Sequence, residues 1–255
     1  MNEEKTYRKL RIYNGVMGFF HLAQGILMVV LSNDFKLPIT TSYLSFDLDT
    51  KSIDTVGNQI YELRIGLAVA AFLFLSSLAH FLIATVLYPW YVKNLKRNVN
   101  YARWYEYALS SSLMIVIIAM LVGMYDLSSL ILISAVNAAM ILFGLLMELH
   151  NQKTEKTSWT SFIFGSITGF IPWIVIYLYF AGAVSSVGDV IPKFVYGILV
   201  SIFITFNIFP LNMYLQYKRV GKWKDYLFGE AMYILLSLVA KSLLAWQIFS
   251  GTLRG

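Results

Sequence analysis

Residues 226–250 read Tyr226-LFGEAMYILLSLVAKSLLAWQIF-Ser250, a hydrophobic run long enough to cross a bilayer, with one lysine, Lys241, in the middle of it. A cationic side chain at the centre of a membrane helix costs roughly 2.5–3.5 kcal/mol on insertion scales. Neither end of this helix is within easy snorkelling reach of the ammonium. Such a lysine is expected to be paired, chemically modified, or both. An amine held out of water is also a nucleophile that can condense with an aldehyde to form a Schiff base.

The rest of the chain has the same character. Of its 255 residues 58% are hydrophobic and 13% charged, a balance that belongs to an integral membrane protein rather than a soluble domain. Cysteine is absent, which excludes disulfides, thiolate metal sites and cysteine nucleophiles. The net charge of +6 would suit nucleic acid, but the placement of the basic residues points to one side of a membrane instead, and no nucleic-acid partner is expected.

Seven stretches reach the length of about 20 residues needed to cross ~30 Å of hydrocarbon. They cover residues 13–31, 60–87, 100–124, 128–149, 159–181, 193–217 and 226–250. The basic residues sort into alternate connections. Lys5, Arg8, Lys9 and Arg11, then Lys93, Lys96, Arg97 and Arg103, then Lys153 and Lys156, then Lys218, Arg219, Lys222 and Lys224 make fourteen of the 20. By the positive-inside rule the amino terminus is cytoplasmic and, after an odd number of crossings, the carboxyl terminus is extracellular. The first span follows a basic stretch, as a signal peptide does. It is too long for one and no small-residue cleavage site follows it, so it is expected to be retained. The localisation that follows is a multi-pass protein of the cell membrane.

The longest connection, residues 32–59, holds Leu44-Ser-Phe46-Asp-Leu48-Asp49, whose alternation of apolar and polar side chains predicts a short strand. Leu37-Pro-Ile39 upstream is expected to complete a short β-ribbon, read as a lid over the bundle with a ligand-binding role as the alternative. The other connections are short, so sequential helices are expected to be antiparallel neighbours. With no tandem repeat or linker, residues 1–255 read as a single all-α membrane domain, a seven-transmembrane-helix bundle.

Polar residues within spans carry the functional information. Asn14, Met17, His21 and Gln24 fall on one face of the first helix, and Ser76 and His80 share a face of the second. For the two histidines one reading is a buried neutral imidazole bonded to a serine or amide. The other is proton acceptance through internal water, since an unperturbed imidazole titrates near ~6.5. Two imidazoles without a thiolate or a carboxylate make a thin metal ligand set, and no metal is expected. On the third helix Glu106 is the one carboxylate that reads as well inside a span. It is either a partner of Arg103 one turn earlier or the counterion of Lys241. Depth leaves both open: Glu106 lies ~9 Å into its helix and Lys241 ~22 Å into its own. A third helix starting as early as Pro89 would narrow that gap.

Several longer strings together resemble one family. They are Trp104-YEYALSSSLMI-Val116, Asn137-AAMILF-Gly144, Phe194-VY-Gly197, Tyr214-LQY-Lys218, Gly221-Lys-Trp223 and Leu236-SLVAKSLLAWQIFSG-Thr252. The chain resembles the heliorhodopsins from His21 to its carboxyl terminus, the long first loop included. Heliorhodopsins are retinal-binding photoreceptors whose orientation in the membrane is inverted relative to other microbial rhodopsins, the orientation that the charge distribution gives independently.

The resemblance implies roles residue by residue. Lys241 would hold all-trans retinal as a protonated Schiff base, Glu106 would be its counterion, and Ser237 would hydrogen-bond near the nitrogen. His21 and His80 would belong to a polar, hydrated cavity that accepts a proton on the cytoplasmic side. Tyr107, Ser111, Asn137, Met140, Ile141, Gly144, Pro172, Trp173 and Phe206 would line the chromophore, with plain core packing as the competing reading for each. Phe206-Asn-Ile-Phe209-Pro210 also resembles the Trp-x-x-Tyr-Pro pattern of the sixth helix in other microbial rhodopsins.

A proton pump needs a second carboxylate on the far side of the chromophore. Pumps of the wider family place one eleven residues after the counterion, where this chain has Ile117, and the second counterion position is Ser237. The sequence therefore suits a light-sensing signalling cycle better than the alternatives, a light-driven proton pump or channel, or a retinal-free membrane scaffold or enzyme. No enzymatic activity is expected. The partners implied are the lipid bilayer, a second copy of the chain as a homodimer, and an unidentified cytoplasmic signalling partner. The basic connections suit anionic headgroups as readily as a protein.

Overall fold

The computed structural model describes residues 3–187 and 191–253. The elements run α1 (Glu3–Leu31), β1 (Lys36–Phe46), β2 (Ile53–Arg64), α2 (Ile65–Ala84), α3 (Tyr88–Leu95), α4 (Tyr101–Leu121), α5 (Leu127–Asn151), α6 (Thr160–Val187), α7 (Lys193–Tyr217) and α8 (Tyr226–Ile248). All of these helices except α3 are long and apolar enough to cross a membrane, seven among the described residues. Their ends are set by local chemistry. Asn100, Asp126 and Asp225 cap α4, α5 and α8, accepting from the backbone N–H groups of Arg103, Ser129 and Leu227 at 3.1, 2.9 and 2.9 Å. Each satisfies a donor that the first helical turn leaves unpaired. After α4 the chain reverses through Gly123 at φ 98, a conformation that costs glycine little.

The helices close into a ring. α1 packs on α2, α2 on α4, α4 on α5, α5 on α6, α7 on α8, and α8 returns to α1. α6 and α7 meet mainly through aromatic rings, Trp173 against Phe203 and Phe206 at centroid distances of 5.2 and 5.7 Å and Phe180 against Tyr196 at 4.9 Å. Those rings space the two helices and leave room between their backbones. On the ribbon side the buried core is mostly aliphatic, with Leu73, Ile115, Ile118, Leu244 and Ile248 fully buried around Phe72. At the opposite end it is aromatic, around Trp104, Tyr107 and Tyr233. The outer face of α6 presents Ile163, Ile167, Ile174 and Leu178, the surface a lipid-facing helix carries.

The expected boundaries need correction in several places. α1 begins at Glu3, not Tyr13, because Tyr7 and Leu10 pack against Ile83, Tyr91 and Leu95 and carry the helix beyond the apolar run. Residues 60–64, expected in the second span, are strand. Pro89 does not start the third membrane helix. It sits in the first turn of the separate eight-residue α3, and Asn98, at φ 55, turns the chain before α4.

The ribbon exists, but not between the expected strands. Residues 37–39 and 44–46 belong to one continuous strand, β1, which pairs antiparallel with β2 from Lys36 opposite Arg64 to Phe46 opposite Ile53. β2 is almost wholly exposed and mostly polar, so it carries no alternation for a sequence reading to detect. Asp47 closes the tip, its carboxylate accepting from the N–H of Asp49 at 2.8 Å. Only the base of the ribbon covers the bundle. Leu37 is buried, Phe35, Ile39 and Leu63 pack on the core, and Thr40 N donates to Tyr125 O at 2.9 Å. The distal half, with Leu44 and Leu48 at 72% and 81% exposure, stands clear of the helices.

Candidate functional site

Lys241 lies in the middle of α8, 3% exposed. Its Nζ is 2.7 Å from Glu106 Oε1 and 3.0 Å from Ser237 Oγ one turn earlier. The Glu106 oxygen has a second partner, Ser76 Oγ of α2 at 2.6 Å. The Tyr107 ring flanks the amine, its centroid 5.2 Å from Nζ. An ammonium and a carboxylate placed this way offset each other's burial, which either alone would make expensive.

The depth difficulty resolves in an unexpected way. α4 does not begin earlier; it begins deeper. Its capping residue Asn100 donates through Nδ2 to Glu230 Oε1 at 2.6 Å, so the start of α4 stands level with the second turn of α8, roughly 6 Å in at 1.5 Å per residue. The lysine side chain, leaning toward its own amino terminus, spans the rest.

Arg103 turns away from Glu106. Its guanidinium pairs through Nη1 with Glu230 of α8 and through Nη2 with Glu148 of α5, all three side chains buried. Glu106 is therefore not the one carboxylate inside the bundle. Sequence reading passed over Glu148 and Glu230 because each lies near a helix end, where an acid reads as solvated. Trp104 Nε1 and Tyr226 OH donate to Glu148 at 2.6 and 3.1 Å, and Asn100 N adds a third donor at 3.0 Å. The Arg103 guanidinium lies 4.0 Å from the centroid of Tyr233.

His21 and His80 meet as parallel rings, centroids 5.5 Å apart and planes 10° apart. Nδ1 of His80 is 2.8 Å from Asn14 Oδ1. His21 is fully buried, and neither of its ring nitrogens meets a hydrogen-bonding partner in the protein. Ser76, which touches Glu106, is one turn from His80 on α2, so the pair lies on the far side of Glu106 from the cleft described next. Gln24, on the same face of α1, accepts from Trp246 Nε1 at 3.0 Å.

From Lys241 and Ser237 an apolar cleft of about 160 Å³ runs between α4, α5, α6 and α7. Of the expected wall residues Tyr107, Ser111, Met140, Ile141, Gly144, Trp173 and Phe206 line it. Asn137 stands behind the wall, donating to Ser111 Oγ at 2.8 Å and Ser112 Oγ at 3.1 Å, and Pro172 is not part of the lining. The structure adds Phe162, Gly165 and Gly169 of α6. A Cβ on Gly169 would stand 3.0 Å from the sulfur of Met140, and one on Gly165 3.0 Å from Phe143 Cβ. The Gly165-x-x-x-Gly169 spacing, a mark of close helix approach, was the available signal. An apolar cleft between helices with Lys241 as the one amine in its lining suits an apolar aldehyde. The residues present fit retinal.

A ring of seven membrane-length helices around one buried lysine and its carboxylate is the build of a rhodopsin-type membrane protein, and comparison with known proteins narrows the class. The family model for heliorhodopsin matches residues 10–253, and the chain belongs to that family. Among solved structures it is similar to the transmembrane domain of a rhodopsin phosphodiesterase from Salpingoeca rosetta, with a TM-score of 0.66 and 16% identity over 98% of this chain and 87% of that one. It is also similar to the light-driven proton pump LR (Mac) from Leptosphaeria maculans, with a TM-score of 0.62 and 15% identity over 93% of this chain and 94% of that one. At such identities the likeness shows the fold alone. No curated protein matches. Family and fold together make this chain a multi-pass membrane photoreceptor whose chromophore is retinal.

Proposed function

We propose that the chain is a light sensor that carries all-trans retinal on Lys241 Nζ as a protonated Schiff base, with Glu106 as counterion, and that it signals without pumping ions. The observation that carries this reading is the 2.7 Å contact between Lys241 Nζ and Glu106 Oε1 at the end of the apolar cleft. When bound, retinal supplies visible absorption and light-driven isomerisation. The protein's part is positional. Glu106 balances the charge on the lysine nitrogen, Ser237 and Ser76 fix the geometry of that pair, and Trp173, Phe206 and Met140 hold the apolar end and keep water from it. His21 and His80, behind Glu106, take up a proton that leaves the nitrogen. The absence of pumping is supported by α4, in which the only carboxylate is Glu106 and the residue eleven positions on is the fully buried Ile117. No acid stands there to return a proton from the other side.

On this reading the amino terminus faces the cytoplasm, the chain catalyses no reaction, and its partners are lipid, a second copy of itself and a cytoplasmic signalling protein. Purification with all-trans retinal tests the core of it. A visible band that disappears in Lys241→Ala is the expected result. A colourless wild type, or a sustained protonophore-sensitive pH change in illuminated cells, would overturn the chromophore assignment or the absence of pumping respectively.

A further inference from the structure

At the end of the bundle that carries the basic connections, a second cleft of about 680 Å³ opens between the α3–α4, α5–α6 and α7–α8 loops. Its volume falls within the ~300–1,000 Å³ range of small-molecule sites. Its wall is polar, unlike that of the chromophore cleft, so it suits a strongly hydrated ligand rather than a hydrocarbon one. Four cations, Lys96, Arg97, Arg219 and Lys224, line it from two of the three loops. None of them is in an ion pair among the described residues.

The carboxylates of the wall do not neutralise them. Glu148 on the floor is saturated by Arg103, Trp104, Asn100 and Tyr226, and Asp225 caps α8. Glu155 alone remains. The positive-inside rule asks for cations in these loops but not for cations facing one cavity. Lys93, Lys153, Lys156, Lys218 and Lys222, in the same connections, do not line it. The walls are also built rather than slack. Gln152 Nε2 donates to Arg97 O at 3.1 Å, tying the first loop to the second, and Trp223 Nε1 donates to Asn212 Oδ1 at 2.7 Å, tying the third to α7.

We propose that this cleft is a binding site for a phosphate-bearing anion, either a soluble organic phosphate or the headgroup of an anionic phospholipid. One guanidinium and one ammonium from the α3–α4 loop and one of each from the α7–α8 loop line the cleft, and a tetrahedral phosphate presents acceptor oxygens in several directions at once. A planar carboxylate offers two oxygens in one plane. The site lies outside the chromophore cleft and does not depend on the reading of Lys241. Its floor nevertheless touches that cleft, because Glu148 accepts from the indole of Trp104, whose ring lines the retinal slot.

The test is calorimetric titration of inorganic pyrophosphate into the full chain in nanodiscs, at fixed ionic strength. In phosphatidylcholine discs we expect saturable 1:1 binding, weakened at least tenfold in the double variant Arg97→Gln/Arg219→Gln. Both side chains are exposed, so the variant should keep the wild-type melting temperature, which is measured alongside. Repeating the titration in discs containing phosphatidylglycerol separates the two sources. Undiminished binding identifies a soluble phosphate and suppressed binding a lipid headgroup, and either supports the site. No saturable heat in phosphatidylcholine, or equal affinity in the double variant, would overturn it. Since heat rather than colour is read, a failure of the chromophore assignment would leave this result standing.

Discussion

Ser76 of α2 and Lys241 of α8 converge on one oxygen: Oε1 of Glu106 is 2.6 Å from the serine hydroxyl and 2.7 Å from the lysine nitrogen. The hydroxyl competes with the ammonium for the negative charge of that oxygen. Removing it in Ser76→Ala concentrates the charge on the nitrogen side, stabilises the ground state of the bound chromophore, and should move the visible band to shorter wavelength. A hydrogen bond to a charged group contributes about 1.5–3 kcal/mol, and only part of that reaches the transition energy. A shift to longer wavelength would contradict the assignment of Glu106 as the charge that the chromophore senses.

Neutralising the acid itself has the opposite sign. In Glu106→Gln the visible band should move to the red, by more than Ser76→Ala moves it to the blue. Leaving a buried cation without its partner costs about 3–5 kcal/mol, so thermal unfolding of the pigment should fall as well. An unchanged spectrum would count against Glu106 as counterion.

The Arg103 network holds two buried acids with one cation, so its members differ in what their loss does. Arg103→Met strands Glu148 and Glu230 together and should lower stability by about 3–5 kcal/mol, a fall in melting temperature on the order of 10 °C. Glu230→Gln leaves the balanced Arg103–Glu148 pair and should cost clearly less. Equal losses in the two variants would show that charge balance is not what the network supplies.

Two glycines of the cleft separate tolerance from collision. A methyl at Gly144 would run into the Trp104 ring, and that indole is tied to Glu148. Gly144→Ala should therefore cost about 1–3 kcal/mol as overpacking. At Gly169 the nearest atoms are Cγ and Sδ of Met140 at 3.0 Å, the end of a flexible side chain, and Gly169→Ala should be nearly neutral. Melting curves of the two pigments decide it.

Outside the membrane, the carboxyl of Asp126 is held below its usual range chiefly by the backbone N–H of Ser129. A depressed native value means that the cap contributes fully above the unfolded carboxylate range and is lost as pH falls through the lower native one. Protection of the Ser129 amide, read as its hydrogen-exchange rate against that of an unstructured peptide at the same pH, should be lost as pH falls below the usual carboxylate range, and Asp126→Asn, which keeps an acceptor, should remove that dependence.

Much of this protein was legible in its sequence because the signals involved are local. The seven spans follow from runs of apolar residues, and Lys241 from a lone cation in the middle of one of them. The Glu106 choice was left open at the sequence level because pairing depends on relative depth. That was set by the recess of α4, which the Asn100 contact with Glu230 produces. β2 was not legible, since a strand exposed on both faces carries no alternation. Asn137 was placed one layer too close to the cleft, because a helical face does not say whether its side chain ends at a cavity or at a neighbouring serine.

The amino-acid sequence alone determined the number of crossings, the all-helical class, the existence of a ribbon and the identity of the buried amine. Each of these depends on the cost of taking a polar or charged group out of water, which a single stretch of chain displays by itself. Only the tertiary structure decided which acid each buried cation meets, which strand pairs with β1, and that a cleft with unpaired cations lies at the basic end. Those are relations between residues far apart in the chain, and how deeply each helix is set within the bundle fixes them.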